Sequence, residues 1–221
     1  MDDAILSSIR LSLQVAFTAT LLVVLTGLPL AWLLARRRFR GKELLDVLLT
    51  LPLVLPPTVT GYYLVLLFGR HGWLGGPLFA ATGWSVVFTW QGAALASYVV
   101  ALPLLIKTAR AAFESVDENL LRASTCCGHS EWSTTLRVLL PLARRGLWAG
   151  TALAFARAMG EFGATLMLAG NIPGRTATMP LAIYSLAGSG EWGAAHALVL
   201  LMTVLSGLFL YLANRGAGRW L

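Results

Sequence analysis

Five apolar runs of at least 20 residues constrain this 221-residue chain more than any other feature of its sequence. A helix of about 20 apolar residues crosses the roughly 30 Å hydrocarbon core of a bilayer. The runs lack the alternation of apolar and polar residues that membrane-spanning strands require. We therefore predict an all-α integral membrane protein with five transmembrane helices. The predicted spans are Leu11–Ala35, Leu45–Phe68, Trp84–Ile106, Gly146–Ala169 and Ala194–Ala213.

The Lys and Arg residues give these spans an orientation. With the N terminus outside, thirteen of the 17 cations fall in cytoplasmic segments, the last of them being Arg219. The outer segments then carry Arg10, Arg70 and Arg175, and Arg157 lies within a span. Because cytoplasmic loops are enriched in Lys and Arg, we predict that the N terminus is outside and the C terminus inside. The net charge of +7 follows from this topology and does not indicate nucleic-acid binding.

The largest cytoplasmic segment, residues 107–145, shows helical periodicity between the third and fourth spans. Gly128 is placed to end a first short helix, and Ser130 is placed to begin a second one. Pro141 then interrupts the pattern just before the fourth span. Small residues on the first helix favour close approach by another protein, whereas the alternative is a solvated connector. One face of that helix consists of Leu120, Ala123, Ser124 and Cys127.

This segment resembles the cytoplasmic signature of ABC-importer permeases, which is Glu-Ala-Ala, three residues, Gly, nine residues, an aliphatic residue, one more residue and Leu-Pro. The spacing here is the same, with Arg in place of Glu and Ser in place of the second Ala. The resemblance implies a coupling helix that seats in a groove of a separate ATPase subunit. The residues expected to form the coupling element are Ala123, Ser124, Gly128, Leu140 and Pro141.

The chain lacks the residues that would hold ATP itself. It contains no Gly-x-x-x-x-Gly-Lys-Ser/Thr phosphate loop, so we expect ATP to bind the partner ATPase and no cofactor to bind this chain. We also expect no enzyme activity. Ser189 and His196 are the residue types of an intramembrane serine protease, but the serine lies in a Gly-rich outer loop and the histidine one or two turns into a span.

The second span contains a cluster of helix-breaking residues. Pro56 and Pro57 lack amide donors and would clash with carbonyls four residues earlier in a helix. Thr58 and Thr60 place hydroxyl groups next to this break. A kink required for packing alone is one interpretation. We favour the other, in which these four residues line a translocation pathway, because freed carbonyls near mid-membrane need a polar surrounding.

The fourth span combines small residues with a charge. Gly146, Gly150, Ala154 and Ala158 recur every four positions, a pattern that lets membrane helices pack closely. A charge such as Arg157 near mid-membrane costs roughly 2.5–3.5 kcal/mol on insertion scales. Glu161 lies one turn further on and can neutralise it. The pair is either a structural ion pair inside the bundle or an anion contact that gates transport.

Three stretches resemble the molybdate branch of the ABC permeases, in which sulfate and tungstate permeases are near relatives. They read LPLVLPPTVTGYY, GEFGATLMLAGN and IPGRTATMPLAIY, and the resemblance extends over nearly the whole chain from about Leu11. It implies that residues 1–221 are a single permease domain of a bacterial inner-membrane homodimer. The implied partners are a second copy, two ABC ATPase subunits, an outer-side oxyanion-binding protein and the lipid bilayer. The implied substrate is a tetrahedral oxyanion, molybdate in the first place.

The sequence leaves two alternatives to a molybdate importer open. Tungstate and sulfate permeases share the same features. An ion-coupled secondary transporter would show internal inverted repeats, and five spans with recurring Pro-Leu pairs but no longer repeat do not favour it.

Overall fold

A computed structural model describes residues 2–218 of the chain. This part is helical throughout, with connecting loops and no strand. Arg219, counted above among the cytoplasmic cations, lies outside the described residues. The helices are α1 (Asp2–Arg36), α2 (Lys42–Val54), α3 (Pro57–Phe68), α4 (Gly75–Thr82), α5 (Trp90–Glu114), α6 (Glu118–Cys126), α7 (Glu131–Thr134), α8 (Leu140–Met159), α9 (Gly163–Ala169), α10 (Met179–Gly188) and α11 (Trp192–Gly218).

Three of these helices are long and apolar enough to cross a membrane unbroken, namely α1, α5 and α11. The pairs α2–α3 and α8–α9 bring the number to five if each bent pair is one span. The all-α membrane fold is therefore confirmed. The five-span topology and the orientation stay predictions.

The packed body of the protein consists of α1, α5 and α8. In α5, the most apolar 18-residue stretch is 67% buried, because alanine and glycine along it let its neighbours approach. Gly146 of α8 lies against Ala112, and Gly150 lies against Thr108. The small-residue ladder predicted for the fourth span therefore packs α8 onto α5. Phe113, Leu105 and Leu34 are fully buried in the resulting core.

The second predicted span is two helices that meet at an angle of 117°. Leu55 and Pro56 both have extended backbone between them, and Pro57 is the first residue of α3. Because a residue that precedes a proline disfavours helical angles, two successive prolines exclude two successive residues from the helix. Pro52 remains inside α2, so the break needs the Pro56–Pro57 pair.

The helix of the third predicted span starts and ends later than the predicted span. Residues 84–89 are not helical, and α5 begins at Trp90 because the Thr89 hydroxyl accepts a hydrogen bond from the Gly92 amide at 3.1 Å. The helix then continues to Glu114, eight residues past the predicted end at Ile106. Its last two turns therefore lie in the predicted cytoplasmic segment, residues 107–145.

The fourth span also differs from the prediction. Helical structure is continuous from Glu131, because a π-helical segment (Thr135–Leu139) joins α7 to α8, and the Leu140 amide donates to the Thr135 carbonyl. Pro141 does not interrupt the helix as expected, and it lies directly after the π segment, as the second residue of α8. The real break comes later, at residues 160–162, where α8 and α9 meet at 58°.

Candidate functional site

The breaks of the second and fourth spans lie against each other. A Cβ atom on Gly163, the first residue of α9, would lie 3.1 Å from Pro57 Cβ and 3.2 Å from the Thr58 amide nitrogen. One turn along, a Cβ atom on Gly61 would lie 2.8 Å from Ala164 Cα. At Gly61 a Cβ atom would clash with the facing backbone, whereas at Gly163 it would fit after a small shift of its neighbours. The structure thus brings together two discontinuities that lie about 100 residues apart in the sequence.

The four residues predicted to line a pathway fall on different surfaces. Pro56 and Thr58 are exposed at the break, and Pro57 is half-buried against α9. Thr60 is buried, and its hydroxyl has no hydrogen-bond partner among the described residues. The Thr165 hydroxyl on α9 is also buried and has no hydrogen-bond partner among the described residues. The exposed edge of the break is therefore Pro56 and Thr58, and Thr60 belongs to the packed side of α3.

Arg157 and Glu161 form the ion pair that their spacing predicts. Arg157 Nη1 lies 2.6 Å from Glu161 Oε2, and the other oxygen, Oε1, accepts a hydrogen bond from the Ala164 amide at 2.8 Å. Glu161 thereby connects the end of α8 to the start of α9, where a carboxylate also matches the positive end of the helix dipole. Its side chain is 1% exposed, against 28% for Arg157. A gating role for the pair stays a prediction.

The predicted coupling element is a helical hairpin, residues 118–134, formed by α6 and α7. Gly128 ends α6 with a φ angle of +86°, and the Ser130 hydroxyl begins α7 by accepting from the Ser133 amide at 3.2 Å. These two predicted helix boundaries are confirmed. Leu121 is the buried contact of α6, so the face predicted from the sequence, which includes Ala123, is left almost entirely exposed.

Other contacts fix the hairpin to the packed body. Ser124 and Thr134 share a hydrogen bond of 2.9 Å between their hydroxyls, which holds α6 against α7. Arg37 pairs with Glu131 at 2.8 Å, and the Trp32 indole donates to the Thr135 hydroxyl at 3.2 Å. Both of these contacts join the hairpin side to the end of α1.

The remaining two coupling residues lie beyond the hairpin, at the start of α8. Leu140 is half-buried against the core, and Pro141 is exposed. The structure thus separates the five predicted coupling residues into an exposed tip, Ala123 and Gly128, two half-buried positions, Ser124 and Leu140, and the exposed Pro141 at the start of α8.

A charged cluster that sequence reasoning missed joins α2 to α5. Asp46 accepts from Lys107 at 2.9 Å and from Arg110 at 3.2 Å, and Arg110 also pairs with Glu114 at 2.8 Å. An acidic residue among the apolar residues of α2 indicates that a basic partner is present. Which residue is that partner could not be predicted, because it depends on how α2 packs. This cluster is the polar connection of α2 to the packed body, and Leu45 and Leu49 of α2 are half-buried against the same core.

Ser189 and His196, the residue types of a serine protease, share no hydrogen bond in the described part of the chain. The Ser189 hydroxyl donates to the Leu186 carbonyl at 3.1 Å, and the His196 ring lies beside Trp192. The fold and these sites define a polytopic α-helical membrane subunit with two broken helices in mutual contact and a helical hairpin at one end.

Comparison with known proteins specifies this class further. The family described as "Binding-protein-dependent transport system inner membrane component" matches residues 27–217. The chain is 41% identical to the molybdenum transport system permease protein ModB of Escherichia coli (strain K12) over 99% of both chains. It is 44% identical to the putative molybdenum transport system permease protein YvgM of Bacillus subtilis (strain 168), over 91% of this chain and 88% of that protein.

A solved structure shows the same fold at low sequence identity. The inward-facing MetNI methionine ABC transporter matches with a TM-score of 0.78 and 16% identity, over 96% of this chain and 94% of that one. The chain belongs to the family of binding-protein-dependent transport system inner membrane components, and it is a permease subunit of an ABC transporter in the inner membrane.

Proposed function

We propose that this chain is the permease of an ATP-driven importer of a tetrahedral oxyanion, and that the oxyanion is molybdate. The observation that carries this proposal is the 41% identity to a molybdenum transport permease over 99% of both chains. Because this similarity covers nearly the whole chain, it includes the hairpin and both helix breaks as well as the apolar helices.

The proposed assembly contains a second copy of this chain, two ABC ATPase subunits that bind the ATP, and a binding protein on the outer side. The exposed tip at Ala123 and Gly128 is the surface offered to the ATPase. Its open face supports this role, since a Cβ atom on Gly128 would meet no atom within 4 Å. Exposed apolar residues on α3 and α11 leave surface for the second copy and for lipid.

In the proposed cycle, movement of the ATPases pushes the hairpin. Because Arg37 and Trp32 connect the hairpin side to α1, and the π segment runs into α8, the packed body moves with it as one unit. The α2–α3 pair is a second part. It contacts that body through the Asp46 cluster, through half-buried leucines of α2 and through the Gly61 and Gly163 crossings, where sliding would open or close the path.

The proposal is tested by ATP hydrolysis in proteoliposomes that contain this chain, its ATPase and the binding protein. The binding protein is loaded in turn with molybdate, tungstate or sulfate. Stimulation by the molybdate-loaded form supports the full proposal, and stimulation by another loaded form reassigns the substrate. Assembly without stimulation by any of the three refutes the oxyanion, and uptake that persists without an ATPase subunit refutes the ATP-driven class.

A further inference from the structure

A cavity of about 560 Å³ lies between the first turns of α1, the segment that precedes α5 and the loop that follows α9. On the predicted topology it is at the outer end of the protein, away from the hairpin. No carboxylate occurs among the described residues that line it. Its polar lining consists of Ser7, Arg10, Gln14, Thr89, Gln91 and Arg175.

Four of these side chains are unused by the rest of the described structure. Arg10, Gln14, Gln91 and Arg175 make no side-chain hydrogen bond or ion pair with any described residue. By contrast, the Arg157 guanidinium is paired with a carboxylate. Arg10, Gln91 and Arg175 are exposed at the cavity, and Gln14 is half-buried. Two guanidinium groups at one cavity repel each other, and an anion bound between them would relieve this repulsion and accept hydrogen bonds from the neighbouring amides.

Lys and Arg residues are scarce on the predicted outer side, so the presence of two of them at one cavity calls for an explanation. The predicted outer segments contain three Lys or Arg residues, and the positive-inside rule disfavours each of them. Arg70 lies over the Phe79 ring at 5.3 Å, so its position is explained by a cation–π contact. The other two, Arg10 and Arg175, line this cavity.

The wall of the cavity is constructed by specific loop contacts. The Thr176 hydroxyl accepts from the Ile172 amide at 2.9 Å and donates to the Gly170 carbonyl at 3.2 Å, which closes the loop that carries Arg175. Opposite, Phe88 has a φ angle of +61°, the one positive φ among the described residues other than glycine. Backbone strain of this kind is retained where the surroundings hold it in place, often at binding sites.

Phe88 also connects the cavity to the broken span. Its amide donates to the Leu168 carbonyl at 3.2 Å, and its ring lies against Gly170 at the end of α9. Thr89, the next residue, caps the N terminus of the long helix α5, whose positive dipole end therefore faces the same region. A negative ligand here is thus favoured by two side chains and by one helix terminus.

We propose that this cavity binds a tetrahedral oxyanion, held by Arg10 and Arg175 with Gln14 and Gln91 as further donors. Guanidinium groups suit this chemistry, because their donor pairs match the oxygen atoms of phosphate-like anions. The anion has two possible sources, a free oxyanion on the outer side or the phosphate of a lipid headgroup. The first source rests on the proposed function, and the second does not.

The test measures both sources on the full chain. Equilibrium dialysis with radiolabelled molybdate is done on protein in nanodiscs of phosphatidylcholine, and native mass spectrometry measures retention of phosphatidylglycerol. The variants are Arg10→Gln with Arg175→Gln, and Arg175→Gln alone in case the double variant does not fold. Arg70→Gln is the matched control, because it removes an equal charge on the same side. Arg175→Lys tests the need for a guanidinium.

Loss of one charge-assisted contact should weaken binding by roughly tenfold or more, and Arg70→Gln should leave it unchanged. Molybdate binding that is lost with Arg10 and Arg175 supports a free-oxyanion site. Lipid retention that is lost with them, without saturable molybdate binding, supports the lipid source. The proposal is overturned if neither ligand binds, or if the Arg variants and the control bind alike. Stimulated ATP hydrolysis tests the proposed function separately, so the two can fail independently.

Discussion

The packed body and the α2–α3 pair are both apolar, but they are packed to different degrees. The apolar stretch of α5 is 67% buried, whereas no residue of α2 is fully buried and α3 buries three residues on the side that faces α9 and α5. Pro29 and Pro103 remain inside α1 and α5, while Pro56 and Pro57 turn the second run through 117°. Apolar content thus places both parts in the membrane. The looser packing of α2 and the Pro56–Pro57 break leave the α2–α3 pair freer to move than the packed body.

The Glu161 break shows a second way to interrupt a span. Between α8 and α9 no proline is present, and the turn depends on Gly160, Gly163 and a carboxylate that bridges Arg157 and the Ala164 amide. This break is held by polar contacts, whereas the Pro56–Pro57 break is held by backbone geometry. We therefore expect the α8–α9 turn to stay with the body and the α2–α3 pair to move against it.

The largest expected effect is on coupled transport, and it comes from the hairpin, which is proposed to contact the ATPase. Gly128→Trp should abolish coupled transport while the protein still inserts, because the bulky side chain covers the exposed tip of the hairpin. Gly41→Trp is the matched control, since Gly41 has a φ angle of +87° and equally open space. Both substitutions carry the same local strain. Unchanged transport in Gly128→Trp would remove the docking role.

A smaller effect is expected on stability. Loss of the buried Arg157–Glu161 pair should cost more unfolding free energy than loss of an exposed ion pair of the same i,i+4 spacing. Glu161→Gln leaves Arg157 unpaired, so the free energy of unfolding in mixed micelles should fall by about 2–3 kcal/mol. Glu118→Gln, in the exposed pair with Arg122, should change it by about 0.5 kcal/mol or less. Equal changes in the two variants would mean that Glu161 does not hold the α8–α9 turn.

The smallest effect concerns the crossing of α3 over α9. Gly61→Ala should lower the free energy of unfolding by about 1–2 kcal/mol, because the new methyl group meets backbone of Ala164. Gly207→Ala in α11 meets nothing within 4 Å and should be neutral or stabilising by up to about 1 kcal/mol. A neutral Gly61→Ala would show that the two breaks are not in close contact.

Much of the fold could be predicted from the sequence because it depends on local features. Run length identified the apolar segments, the Ser130 and Gly128 boundaries followed from capping chemistry, and the Gly146 ladder predicted close packing. The continuous helix through Pro141 could not be predicted, because the π segment depends on how α8 is held against α5. The end of α5 was missed because amphipathic turns can extend a span.

The candidate site was less predictable, because its parts meet only in three dimensions. The ion pair of Arg157 and Glu161 follows from a spacing of four residues. The contact of Thr58 with Gly163 joins residues about 100 positions apart, and no local pattern contains that information. The cluster at Asp46 and the convergence of Arg10 with Arg175 have the same long-range origin.

The central claim is that the α2–α3 pair moves against the body during transport. A disulfide between Thr58→Cys and Gly163→Cys, in a background with Cys126→Ser and Cys127→Ser, tests it by joining the two breaks where their atoms are in contact. The control is Ser124→Cys with Thr134→Cys, which replaces the 2.9 Å hydrogen bond between α6 and α7 by a disulfide within the hairpin.

The measurement is uptake of labelled molybdate into proteoliposomes of the full complex, before and after reductant. We expect the Thr58–Gly163 disulfide to abolish uptake and reductant to restore it, while the Ser124–Thr134 disulfide leaves uptake unchanged because α6 and α7 move together. Full uptake with the Thr58–Gly163 disulfide intact would contradict the claim, because the two breaks would then stay together throughout the cycle.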